Sequence, residues 1–394
     1  MFERLSAPKQ DPILSISVAF KEDPRPNKID LGIGVYRNSE GQTPIMAAVR
    51  EAQLVLANTQ QSKSYVGLAG DEVFNKAMVD LLLQGTKLHS RAAGVQTPGA
   101  SGALRMLADL LKQARPDATV WISSPSYVNH RPVMEAAGLT VKEYPYFIAE
   151  TKAVDEAAML AQVEQLGESD VLLLHGCCHN PTGADISLDA WKRIAELTNS
   201  KGFLPFVDIA YQGFGDGLME DAAGLRILAD SVEEMIIATS CSKNFGLYRE
   251  RTGAAIVIGK TTEETMKARG RILEMARSTY TMPPDHGAAI VAMILNNPQL
   301  KETWLTELQD MNARIKRLRE QLATAFQAAT GSDRFDYFKR HKGMFSVTSL
   351  SDEQIATLRQ EHGVYLVGGG RLNVAGLKES DIDAVVKAFI AVGA

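Results

Sequence analysis

The sequence predicts an α/β protein: a largely parallel sheet of about seven strands with helices on both faces, joined to a second, smaller α+β domain. Three observations predict it. Apolar runs of strand length recur through the middle of the chain with amphipathic helical stretches between them, the alternation that builds a doubly covered parallel sheet. One long stretch beyond residue 298 repeats apolar residues every three or four positions, and a strand-rich tail follows it. The chain has 394 residues, 45% hydrophobic and 23% charged, an ordinary globular composition with room for a large core and two domains.

In chain order, residues 1–10 read as an N-terminal arm, and the first forty residues as irregular chain punctuated by Pro8, Pro12, Pro24 and Pro26. Residues 29–36 read as a glycine-bearing strand. Helical periodicity covers residues 47–87, broken by a loop at 65–70. Sheet strands are expected at 94–97, 119–123, 140–144, 171–175, 204–208, 235–239 and 254–258. A helix over about 298–328 follows, in which Trp304, Leu308, Met311, Ile315, Leu318, Leu322 and Phe326 keep helical spacing. Its run is too short for a coiled coil, so it is expected to pack on the body and bridge the domains. Residues 344–347 and 363–367 read as strands. The expected small domain takes in 11–45 and 311–394, the large one 46–310.

A net charge of −5 argues against a nucleic-acid surface, which recruits strongly basic patches. No apolar run reaches spanning length, and the N-terminus lacks a signal-peptide pattern. Cys177, Cys178 and Cys241 offer no disulfide framework and fit a reducing compartment. The expectation is a cytoplasmic protein acting on small molecules, with no nucleic acid or membrane as partner.

The chemistry gathers around Lys243, in Ser240-Cys241-Ser242-Lys243-Asn244-Phe245, directly after an expected strand. Ligands of open α/β sheets bind at such strand ends. Ser240, Ser242, Arg249 and Arg251 surround the lysine, a cationic setting that lowers its pKa and suits an anionic phosphate. A Schiff-base lysine and a solvated basic loop both fit this stretch alone. Thr97-Pro98-Gly99-Ala100-Ser101-Gly102 ends a strand and opens a helix, making a phosphate cradle from free N–H groups and the Ser101 hydroxyl; Ser101 is equally a common cap residue. Asp208 follows another apolar strand and, if buried, needs a cationic partner such as a pyridinium nitrogen. Asn180 sits in a tight Asn180-Pro181-Thr182-Gly183 turn. No Gly-x-Gly-x-x-Gly follows any strand, and Gly253 stands one residue too far from Gly259-Lys260-Thr261 for a nucleotide-binding P-loop. His175-Gly176-Cys177-Cys178-His179 lacks zinc-ligand spacing, so no metal is expected.

With Asn180, Asp208, Tyr211, Lys243 and Arg251 in this order and context, the sequence resembles the fold type I pyridoxal phosphate enzymes, and more narrowly the aspartate and aromatic aminotransferases of class I, subgroup I. The similarity runs from Asp11-Pro12-Ile13-Leu14 to the C-terminal helix. It implies that Lys243 binds pyridoxal phosphate as a Schiff base and shuttles the proton, and that Asp208 holds the ring nitrogen protonated while His175 orients that carboxylate. Tyr211 and Asn180 match the residues that hydrogen-bond the phenolic oxygen. The phosphate would be held by Ser240, Arg251, Ser101 and the Gly99-Ala100 turn, with Tyr65 arriving from a second subunit of a homodimer with shared active sites. Arg371 matches the arginine that grips the α-carboxylate with help from Asn180, Gly34 lies where the N-terminal segment covers the substrate, and Arg277 matches the arginine that crosses the dimer to a dicarboxylate side chain. The implied reaction is ping-pong transfer of an amino group between L-aspartate or an aromatic amino acid and 2-oxoglutarate.

Departures from the family pattern bear on substrate choice. Tyr127 stands where these enzymes usually carry a tryptophan that stacks on the cofactor. Ser101, Ala100, Ser64 and Met282 replace a threonine, a glycine and two asparagines, and the last two lean toward aromatic substrates. Val35, Arg37 and Thr43 are aspartate-like. The sequence leaves the preference open, and a decarboxylase or eliminase of the same fold would have less need of two arginines.

Overall fold

The structure, a computed structural model, describes residues 2–7 and 12–394, and side chains for all of these except 12–14. Residues 1 and 8–11 lie outside the described residues, and with them part of the expected arm and Asp11, where the family resemblance begins.

Helix α1 (Pro12–Glu22) occupies a stretch expected to be irregular. Pro12 suits a first helical turn, and Pro24 and Pro26 come after the helix has ended, so the prolines bracket it and do not forbid it. The strand expected over 29–36 is only β1 (Ile29–Asp30). The Asp30 carboxylate accepts the N–H groups of Gly32 and Ile33 at 3.0 and 3.3 Å, a side-chain turn that competes with the strand ladder. Helices α2 (Ala47–Thr59) and α3 (Glu72–Leu83) follow, the latter capped by Asp71.

All seven expected sheet strands form: β2 (Ala93–Pro98), β3 (Thr119–Ser124), β4 (Thr140–Pro145), then, after a hairpin of β5 (Phe147–Ile148) and β6 (Ala153–Val154), β7 (Asp170–His175), β8 (Leu204–Ile209), β9 (Met235–Ser240) and β10 (Thr252–Ile258). Between them run α4 (Gly99–Ala114), α5 (His130–Ala136), α6 (Glu156–Val163), α7 (Leu188–Lys201) and α8 (Ala223–Ser231). The order is β2-β10-β9-β8-β7-β3-β4, with only β10 antiparallel to its neighbours. The C-terminal ends of β2, β3, β7, β8 and β9 therefore share one edge of the sheet.

Successive residues of a strand point to opposite faces, and each face has its own core. Leu172, Leu174, Val207, Ile237 and Ile256 belong to one; Val171, Leu173, Phe206, Ile236 and Val257 belong to the other. After α9 (Thr262–Thr279) and α10 (His286–Asn296) comes α11 (Pro298–Thr330). Asn297 caps α11, Pro298 opens it, and Gly331 closes it in the left-handed region at φ 67°. Trp304, Leu308, Met311 and Ile315 of α11 pack in the first sheet core. Leu318, Leu322 and Phe326 enter a third core with Ile29, Leu31, Leu372 and Phe389. That third core is completed by α12 (Tyr337–Arg340), α13 (Asp352–His362), β12 (Val364–Tyr365), β13 (Arg371–Asn373) and α14 (Ile382–Ala391), while β11 (Phe345–Val347), paired with β13, sends Phe345 into the first sheet core. Trp304 stacks on Phe245 at 4.4 Å and donates its indole N–H to the Asn244 carbonyl at 2.7 Å, which pins the loop carrying Lys243. No helix among the described residues is long and apolar enough to cross a membrane.

Candidate active site

The shared edge of strand ends opens into a cavity of about 190 Å³. Lys243, Asp208, Tyr211, Asn180 and His175 line it together with Gly34, Ala100, Ser101, Tyr127, Ser240 and Arg251. Gly99 and Arg371 adjoin it. Larger cavities exist, one of about 770 Å³ between α3 and α11, but the convergence of a buried carboxylate, an amine and hydroxyls singles out the smaller one.

Asp208 is held at one end of a polarised chain. The Asn180 backbone N–H, which can only donate, meets His175 Nδ1 at 3.3 Å, so the proton of that ring lies on Nε2. His175 Nε2 then donates to Ser126 Oγ at 3.3 Å, and the Ser126 hydroxyl passes its single proton to His130 Nδ1 at 2.9 Å. His130 Nε2 donates to Asp208 Oδ2 at 2.8 Å. His175, expected to orient Asp208, reaches it through Ser126 and His130: the two residues are register neighbours on parallel strands, and the hydrogen-bond donor to the carboxylate is His130 at the start of α5. Burial pushes the Asp208 carboxyl up, but the hydrogen bond from His130 and the electrostatic pull of the His130 and His175 rings and of Lys243 outweigh it and bring it below the usual range. Burial drives His175 down to about 3, so its ring is neutral. Asp208 Oδ1 is buried without a hydrogen-bond partner among the described residues, an acceptor aimed at something the chain itself does not supply.

Lys243 lies 4.7 Å from the centre of the Tyr211 ring. Burial, reinforced by the charges of Arg251 and Arg371 and opposed by Asp208, brings its amine down to about 8. Burial pushes the Tyr211 phenol well up, so it is a donor at neutral pH. Asn180 Nδ2 reaches its hydroxyl at 3.5 Å, and Arg371 donates to Asn180 Oδ1 at 3.4 Å and to the Gly32 carbonyl at 2.8 Å.

At the other end, α4 starts at Gly99, and its N-cap residue Pro98 makes no side-chain cap. The first N–H groups therefore lack a side-chain acceptor, a ready anion site. Gly99 has φ +69°, and a Cβ there would stand 2.5 Å from Arg251 Nη2; glycine is what lets the guanidinium approach the helix start.

Tyr65 and Arg277 are not brought into this cavity. They line a separate hollow of about 1320 Å³ with Ser64, Pro98 and Met282. Tyr65 is 87% exposed, and Arg277 bonds Thr281 Oγ1 at 3.3 Å. Ser126 and His130 escaped the sequence reading; their spacing around Tyr127, after a strand end, was the available signal. Cys177, Cys178 and Asp221 bring ligand atoms within 4.8 Å of one another, but both Asp221 oxygens already accept backbone N–H groups of Gly213, Gly215 and Asp216, and neither histidine of the Cys-Cys motif joins them.

A model of the family aminotransferase class I and II matches residues 26–389. An aromatic-amino-acid aminotransferase of Paracoccus denitrificans is 44% identical over 393 residues, spanning all of both chains. An aspartate aminotransferase of Salmonella typhi is 43% identical over 395 residues, again spanning both. The solved structure of an aromatic-amino-acid aminotransferase from Burkholderia pseudomallei, covalently bound to pyridoxal phosphate, superimposes with a TM-score of 0.96 at 37% identity, over all of this chain and 99% of that one. Pyridoxal phosphate fits the residues present: Asp208 Oδ1 awaits a donor such as a protonated ring nitrogen, Lys243 offers a partly neutral amine to an aldehyde, and the α4 start with Ser101, Ser240 and Arg251 offers N–H, hydroxyl and guanidinium groups to a phosphate. The chain belongs to the aminotransferase class I and II family, with the fold type I architecture, and pyridoxal phosphate is its cofactor.

Proposed function

We propose that the chain moves the amino group of L-aspartate, of aromatic amino acids or of both to 2-oxoglutarate, the amino acid and the 2-oxo acid using one site in turn. The observation that carries this reading is the placing of Lys243 and Asp208 between two cationic ends, Arg251 at the start of α4 and Arg371 beside Asn180. The aspartate and aromatic activities in the names of the relatives support the substrate range.

When bound, pyridoxal phosphate supplies the electron sink that acidifies the substrate Cα–H. Asp208 Oδ1 would accept a hydrogen bond from the protonated ring nitrogen and so keep the ring cationic, and the chain from Asn180 to His130 keeps the carboxylate charged and aligned. Lys243 Nζ, neutral in an appreciable fraction, takes the Cα proton and returns it on the other side of the transfer. Tyr211 and Asn180 would donate to the phenolic oxygen, and Tyr127 would lie against the ring. Arg371 grips the α-carboxylate common to every substrate. Arg251, Ser240, Ser101, Ala100 and Gly99 would hold the phosphate.

This reading includes a homodimer in which Tyr65 and Arg277 complete the partner's site. Their exposure, in a hollow that Pro98 shares, supports it. It also includes a small domain of residues 11–45 and 311–394 and a large one of 46–310, supported by the separate third core, and a cytoplasmic location, supported by three buried free cysteines. Met282 and Ser64 beside Arg277 favour aromatic side chains, while the Arg277 charge favours dicarboxylates. The deciding experiment compares initial rates with aspartate and phenylalanine as donors, for the native protein and for Arg277→Leu. A rate with aspartate that does not fall in the variant removes Arg277 from the site.

A further inference from the structure

Phe345 opens β11, packs in the first sheet core and is 2% exposed, and three residues of the active site meet its ring. The Arg371 guanidinium carbon lies 4.4 Å from the ring centre. Tyr211 meets it edge-on, with centres 5.8 Å apart and planes at 83°. A Cβ on Gly34 would come within 2.9 Å of Phe345 Cζ, so the ring also dictates glycine there. A guanidinium is planar: the Gly32 carbonyl and Asn180 Oδ1 fix Arg371 in its plane, and an aromatic face beneath it fixes the plane itself.

The main chain of Phe345 is in turn held by a buried charge. Arg319 of α11 is 2% exposed and forms no ion pair with a carboxylate among the described residues. Its guanidinium donates to the carbonyls of Phe345 at 2.6 Å, Gly343 at 2.8 Å, and Phe338 and Lys342 at 3.3 Å each, and to Ser346 Oγ at 2.8 Å. Burying an arginine against neutral oxygens alone is costly, and what it secures is the path of residues 338–346.

We propose that Phe345 is a positioning residue for Arg371, presenting its ring face to the guanidinium so that the carboxylate-binding edge points into the site, and that Arg319 fixes Phe345 for this task. The proposal rests on the reading of Arg371 as the α-carboxylate anchor.

The test uses the holoenzyme and two competitive inhibitors: 3-phenylpropionate, which carries the carboxylate, and phenethylamine, which lacks it. Phe345→Leu is expected to raise the inhibition constant of 3-phenylpropionate and the KM values of both amino acid and 2-oxo acid about tenfold. The constant for phenethylamine stays within about twofold, and kcat changes less than KM. Replacement of Phe345 by 3,5-difluorophenylalanine keeps the ring and its para C–H toward Gly34 while draining the π face, and is expected to give about a threefold rise. This second variant answers the question if Phe345→Leu fails to fold. Arg319→Lys, which keeps the charge but cannot span the carbonyls, is expected to show the same split. Equal weakening of both inhibitors, or no weakening in the difluoro variant, overturns the proposal, and an unchanged carboxylate inhibitor in Arg319→Lys overturns the part assigned to Arg319. Arg371→Leu separates the two readings. If it leaves 3-phenylpropionate unaffected, the anchor reading itself falls; if it weakens that inhibitor while the Phe345 variants do not, the proposal alone falls.

Discussion

The amine of Lys243 can be titrated directly. An ordinary lysine with a pKa of 10.5 is neutral about once in 3,000 molecules at pH 7, whereas an amine brought down to about 8 is neutral about once in eleven, a gain of roughly 300-fold in nucleophile. The perturbation is pH, followed by two charge deletions. Cofactor-free protein would be treated with propanal and cyanoborohydride, and alkylation at Lys243 quantified by peptide mass spectrometry against the exposed Lys267. The rate is expected to reach half its maximum near pH 8. Asp208 opposes the depression while Arg251 adds to it, so Asp208→Asn should move the midpoint down and Arg251→Gln should move it up, each by about half to one pH unit. The signs extend to stability. The fold disfavours the ammonium form, so this group costs the cofactor-free protein roughly 3 kcal/mol below pH 8, a cost relieved as pH rises toward 10.5. A midpoint near 10.5, or an upward shift in Asp208→Asn, refutes the reasoning.

Asp208→Ala is expected to lower turnover roughly 1,000-fold or more while cofactor absorbance is retained, and a near-native rate would remove Asp208 from its place at the ring nitrogen. His130→Leu deletes the hydrogen bond that does most to offset burial at Asp208, so the carboxyl should rise. Protonation then sets in at higher pH, and the acid limb of the kcat/KM profile should move up with it; a limb that stays put assigns the charge of Asp208 to something else. Trp304→Ala opens a cavity under the Lys243 loop and should cost about 3–5 kcal/mol in urea unfolding, against which a loss below about 1 kcal/mol would count.

Much of this was legible in the chain because buried parallel strands are written as short apolar runs, and the chemistry of such sheets sits where those runs stop. Lys243, Asp208 and Asn180 each stand at or just past a strand end, which is why their order and context sufficed. What stayed hidden depends on distant partners or on local competition. His130 and Asp208 are 78 residues apart, and Ser126 and His175 are 49 apart, so nothing local marks them as one chain of hydrogen bonds. Asp30 turned an expected strand aside with its own side chain, and the prolines around α1 disguised a helix by bounding it. Phe345 reads as an ordinary strand residue until the fold lays Arg371 over its ring.

The third core also sets the timing of biosynthesis. Ile29 and Leu31 pack there with Leu318, Phe326, Leu372 and Phe389, so these two residues wait for partners that are synthesised hundreds of residues later. At translation rates of about 5–20 residues per second, the interval between residue 31 and residue 318 is roughly 15–60 s. Through that interval the sheet core can close while its N-terminal neighbours remain uncovered. A chain cut short ahead of Phe389 would be left with apolar surface and no partner for it, the kind of nascent species that quality-control machinery recognises.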